Sequence, residues 1–94
     1  MDQDLKTLIQ RAAQALKAAG AREVYVFGSA AAGGRRRPDS DIDLAVSGLA
    51  PELFFEAMAR AHDALDQPLD LVDLDEDNPF TRYLKEKGRM LRVA

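Results

Sequence analysis

The residues best placed to do chemistry lie between positions 28 and 44, where the chain reads GSAAAGGRRRPDSDIDL. Acids recur there at every second position: Asp39, Asp41 and Asp43. Strand side chains alternate faces, so Asp41 and Asp43 share one face while Ile42 and Leu44 point the other way. Two positions along a strand is about 6.7 Å. Carboxylates that far apart repel by about 2.5 kcal/mol at an effective dielectric of about 20. A fold gains nothing from that repulsion unless a cation lies between the charges. Magnesium suits the place, since it prefers oxygen ligands and is usually held by one or two carboxylates plus substrate phosphates. Two such ions about 3.5–4 Å apart can stabilise both the attacking and the leaving oxygen of a phosphoryl displacement. The competing structural reading is an exposed edge strand whose acids deter aggregation.

Gly28-Ser29, upstream of the acids, favours the cation. After an apolar strand, glycine lets the backbone turn tightly and approach a ligand. The N–H groups of the following turn and the Ser29 hydroxyl then make an anion site. Alone, the dipeptide reads better as a strand-to-helix turn with serine as N-cap; the acids downstream reverse that balance. Three familiar loops are excluded by inspection. A Walker loop needs Gly-Lys-Ser/Thr, but Gly33 is followed by Gly34 and Arg35; a GxGxxG fingerprint fails at Ala30. An EF-hand starting at Asp39 would need glycine at Leu44 and glutamate at Ala50.

A third carboxylate is wanted from a neighbouring strand. Asp70 and Asp73 lie in one short apolar run, on opposite faces because their spacing is odd, so only one can share the pocket. Parity does not choose between them. The basic triplet Arg35, Arg36 and Arg37 could contact a triphosphate or a partner, although a solvated loop explains any single arginine as well. His62 reads as a surface or boundary residue of a helix. Phe54, Phe55 and Met58 read as core, with exposure of Phe55 the one arrangement that would mark a protein-binding face.

Positioning these residues takes alternating elements. Helical spacing covers 2–19, closed by Gly20, and strand-type residues follow at 24–27. One helical turn is expected at 29–32 and a strand at 40–46 after Pro38. A second amphipathic helix spans 52–65, begun by Pro51. A strand at 69–74, a helix at 80–87 closed by Gly88, and a weak edge strand at 90–93 complete the order. Helices and strands that alternate, with the 28–38 connection too short for a crossover helix, imply an α+β fold with a small mixed sheet flanked by helices.

At 94 residues the chain is expected to be one domain, 1–94, with a single core. The chain has no cysteines, so a zinc-thiolate site and a disulfide frame are both excluded. No apolar run approaches a membrane span and no signal-peptide pattern opens the chain, so a cytoplasmic protein with no membrane partner is expected. The net charge of −3 argues against nucleic acid as a direct ligand.

Gly28-Ser29, Asp41-Ile42-Asp43 and Asp70-Leu71-Val72 together resemble the minimal nucleotidyltransferases of the DNA polymerase β superfamily, over essentially the whole length. The resemblance implies that superfamily's fold and transfer of a nucleoside monophosphate, here AMP from ATP, with release of pyrophosphate. It implies two magnesium ions on Asp41, Asp43 and Asp70, with Asp70 also able to accept the proton of the attacking hydroxyl. It implies that Gly28 and Ser29 hold the β- and γ-phosphates, with Arg37 the arginine assigned to the nucleotide. Eleven residues, 30–40, separate Ser29 from Asp41, one more than the typical form, and the surplus falls in the loop. Acceptor-binding domains of larger members are not expected here. Chains of this kind are typically antitoxins of HEPN-domain RNases, which implies adenylylation of a tyrosine hydroxyl on a HEPN toxin. The competing functions are a non-catalytic module that neutralises its partner by docking, and transfer to RNA or a small molecule.

Overall fold

Leu5, Ile9, Ala12 and Leu16 fall on one stripe, and in a computed structural model they are the buried face of helix α1 (Gln3–Ala18). The structure describes residues 3–32 and 41–94. Expectations placed on residues 33–40, including the arginine triplet, Pro38 and Asp39, lie outside it. Gly20, at φ +119°, ends α1 as the spacing predicts. Strand β1 (Glu23–Phe27) runs straight into a short helix, α2 (Gly28–Ala32). Strand β2 (Ile42–Ser47) follows, then a 3-10 turn (Pro51–Leu53) leading into α3 (Phe54–Leu65). Strand β3 (Leu69–Asp73), helix α4 (Pro79–Glu86) and strand β4 (Leu91–Arg92) complete the chain.

The four strands form one sheet in the order β3-β2-β1-β4. β1 is antiparallel to both β2 and β4, while β2 and β3 run parallel. The mixed α+β sheet expected from the sequence is thus the one observed. Parallel pairing of β2 with β3 needs a crossover, and α3 supplies it.

Alternation along the strands sorts the residues to two faces. Val24, Val26, Ile42, Leu44, Val46 and Leu71 join the buried residues of α1 and α3 in the larger core. Phe27, Ala45 and Leu74 pack with Leu84 of α4 on the opposite face. The sheet is therefore sandwiched, with two helices on one side and α4 covering part of the other. Among the described residues, no helix is long and apolar enough to cross a membrane.

Two expectations need correction. The strand predicted over 40–46 begins at Ile42, because its ladder opens with the Ile42 N–H donating to the Pro68 carbonyl at 2.9 Å; Asp41 stands just before it. The aromatic cluster divides: Phe54 and Met58 pack on the core, but Phe55 is 75% exposed. It falls one position off the stripe formed by Phe54, Ala57, Met58, Ala61 and Leu65, and the helix rotates it outward. His62 is exposed, as expected of a surface helix position.

Candidate active site

The site lies at one end of the sheet, where β1 finishes and β2 and β3 begin. Gly28 turns the chain out of β1 at φ +70°, a left-handed conformation that favours glycine. A second reason for glycine is contact. A Cβ there would collide with Oδ2 of Asp43 and stand 3.1 Å from its Cγ. The Gly28 backbone therefore lies directly against the Asp43 carboxylate. Ser29 is exposed beside it, in the first turn of α2, where N–H groups lack partners within the helix.

Asp43 pairs in register with Phe27 of β1 on one side and with Asp70 of β3 on the other. Register partners point to the same face of a sheet, and neighbouring strands stand about 4.8 Å apart. Asp43 and Asp70 are thus neighbouring acids on the face that α4 partly covers. Asp73 pairs with Val46, which belongs to the core under α1 and α3, and so takes the other face. Its Oδ1 accepts the Asp75 N–H at 2.9 Å and holds the turn after β3. The register between β2 and β3 separates the two acids, which parity within one strand could not do. Asp41 is exposed at the entrance to β2, two residues before Asp43.

Like charges opposite one another across a strand pair destabilise it. The register thus sets two carboxylates side by side at the end where Gly28 approaches. Among the described residues, no three acids, histidines or cysteines close into a ready-made cation cage. The donor set fits a cation that draws part of its shell from water and from phosphate oxygens, as magnesium does. Arg37, the remaining candidate, lies outside the described residues.

One neighbour of the site carried no motif in the sequence. Phe80 at the start of α4 stands edge-on to Phe27, with ring centroids 6.1 Å apart and planes at 60°. It raises a half-exposed aromatic wall beside the acid pair. Only its place at the head of a predicted helix was readable, because the contact joins residues far apart in sequence.

Residues 7–92 match the family described as Polymerase beta, Nucleotidyltransferase. The chain belongs to that family. A chain of the crystal structure of a toxin-antitoxin with AMP-PNP is 26% identical to this nucleotidyltransferase. Their TM-score is 0.66 over 86% of this chain and 68% of that one. A chain of the MntA-HepT toxin-antitoxin structure is 22% identical, with a TM-score of 0.64 over 98% and 72% of the two chains. The Shewanella oneidensis structure of a tri-AMPylated HEPN toxin with MNT antitoxin gives 22% identity and a TM-score of 0.62. That match covers 100% of this chain and 72% of the other. The last two likenesses carry the fold alone. No curated protein matches the chain.

Proposed function

We propose that this nucleotidyltransferase moves AMP from ATP to a hydroxyl of a protein partner, a HEPN-type toxin, and acts as its antitoxin in the cytoplasm. The observation that carries the chemistry is the register of Asp43 with Asp70 at the strand end where the Gly28 backbone meets the Asp43 carboxylate. Close glycine approach suits a bound triphosphate, and paired acids suit its counter-cation. The AMP-PNP in the 26% identical neighbour supports ATP as donor. The toxin partner and the acceptor are taken from what the neighbouring structures are said to contain.

In this reading Gly28 and Ser29 hold the β- and γ-phosphates, joined by Arg37. The acceptor oxygen attacks the α-phosphorus from the side away from the β-phosphate. The new oxygen–phosphorus bond forms as the bond to the α–β bridging oxygen breaks, and pyrophosphate departs with that electron pair. Asp70 receives the proton of the hydroxyl. Magnesium held by Asp41, Asp43 and Asp70 would neutralise charge on the attacking and leaving oxygens. General-base help of the kind assigned to Asp70 contributes about 10²–10⁴-fold.

The test is transfer from α-phosphate-labelled ATP to a co-expressed HEPN-type partner, comparing wild type with Asp43→Ala. A labelled protein band with wild type only, its mass increased by whole adenylate units, is the expected result. Label in RNA or a small molecule would move the acceptor. Partner inhibition that persists in Asp43→Ala without nucleotide would replace the enzyme with a docking module.

A further inference from the structure

Two aromatic rings stand in solvent on either side of one strand. Phe55 is 75% and Phe80 49% exposed. Each is held edge-on by a more deeply set ring: Phe55 by Phe54 at 5.5 Å, and Phe80 by Phe27 at 6.1 Å. Both rings line one groove of 390 Å³, together with Pro51, Leu71, Val72 and Asp73. Its base is β3, an outer strand of the sheet.

That edge has backbone to offer. The Ile42 N–H donates to the Pro68 carbonyl at 2.9 Å, and the Leu74 N–H to the Val46 carbonyl at 2.8 Å. Even-numbered residues of this stretch therefore turn their peptide groups toward β2. By the alternation of a parallel ladder, Leu69 and Leu71 turn theirs outward, while the Asp73 carbonyl accepts the Glu76 N–H at 3.2 Å. Among the described residues, no strand pairs with them.

Among the described residues, the charge lining the groove has one sign. Asp73 and Glu76 line it, Glu52 adjoins Pro51, and Asp70 lies one residue before Leu71. Among the described lining residues none is basic. A polyanion such as RNA is repelled here. A second copy of this chain pairing through β3 would bring its own Asp70 and Asp73 against the same acids. An apolar strand with cationic ends satisfies the rings, the open edge and the acids together.

We propose that this groove docks an extended, apolar segment of the partner protein flanked by Lys or Arg. The segment adds to β3 and carries the acceptor hydroxyl toward Asp70. Val72, in the groove, and Asp70 share a face about 6.6 Å apart along the strand, so a segment bound here runs into the acid pair. Only this delivery step rests on the proposed transfer reaction; docking stands apart from it.

The experiment follows amide chemical shifts of the full chain during titration with the peptide Lys-Lys-Val-Ile-Tyr-Val-Lys. The charge-reversed peptide, with glutamate in place of each lysine, serves for comparison. Shifts centred on Leu71, Val72 and Asp73, with little from the acidic peptide, are expected. Phe55→Ala, at a solvent-facing position that folding does not need, should weaken binding at least about tenfold. Absence of binding up to millimolar peptide, shifts centred on another surface, equal binding of the acidic peptide, or an unaffected Phe55→Ala would each overturn the docking site. In parallel, labelled ATP is added to wild type with the basic peptide. Peptide bound at β3 but never labelled would sink delivery of the acceptor and leave docking standing. Labelling indifferent to Phe55→Ala would leave transfer standing and sink the groove.

Discussion

If Asp70 receives a proton and helps to hold a cation, neutralising it should separate activity from stability. Asp70 is exposed and in register with another carboxylate. Its charge therefore does nothing for the sheet, and like charges across a strand pair oppose pairing. Asp70→Asn keeps the size and hydrogen-bonding capacity of the side chain. The expected outcome is transfer reduced about 10²–10⁴-fold, with a melting temperature equal to or above that of wild type. Activity close to wild type would assign the proton to another group, and a clear loss of stability would make Asp70 a structural residue. Asp73→Asn is the matching control. It sits on the other face, and an asparagine Oδ1 can still accept the Asp75 N–H, so this substitution should leave both the turn and the chemistry close to wild type.

Among the described elements, α4 starts on a buried hydroxyl, that of Thr81. Thr81 is 1% exposed. Its Oγ1 accepts the Asn78 N–H at 3.1 Å and donates to the Glu76 carbonyl at 2.6 Å, while its own N–H donates to Asn78 Oδ1 at 2.9 Å. This reciprocal cap fixes the start of the helix that carries Phe80. Thr81→Val keeps the shape and strands the backbone partners, a loss of about 1–3 kcal/mol. For a domain of this size that lowers the melting temperature by at least about 4 °C, whereas Thr81→Ser should retain most of the stability. An unchanged melting temperature in Thr81→Val would show that the cap does not hold α4. Elements of this kind were legible in the sequence to different degrees. Periodicity revealed α1 and α3, and apolar runs revealed the strands, because both signals are local. The pairing of β2 with β3 was not legible, so Asp70 and Asp73 were equivalent until register separated them. The cap was written as Asn78-Pro79-Phe80-Thr81, yet a polar turn followed by proline hid it. Phe55 looked like core because its neighbours Phe54 and Met58 are core; only the rotation of α3 turns it out.

For the whole molecule, the acids sit where three chain segments converge: the end of β1, the entry to β2 and the start of β3. A ligand held there touches all three and stabilises the folded state in proportion to its occupancy. Binding at a hundred times the dissociation constant adds about 2.7 kcal/mol. A domain of this size converts each kcal/mol into roughly 4–8 °C. Saturating AMP-PNP with magnesium should therefore raise the melting temperature by about 10–20 °C. The nucleotide in chelator should give a much smaller rise, because its triphosphate would then meet Asp43 and Asp70 with no cation between them. Asp43→Ala removes one of those repelling charges, so its melting temperature should respond less to magnesium than wild type does. This double difference, nucleotide with and without metal in two chains, asks whether the acid pair and the triphosphate share a cation. Equal shifts in all four conditions would mean that the nucleotide binds away from the strand ends, and the reading of Asp43 and Asp70 would fall with it.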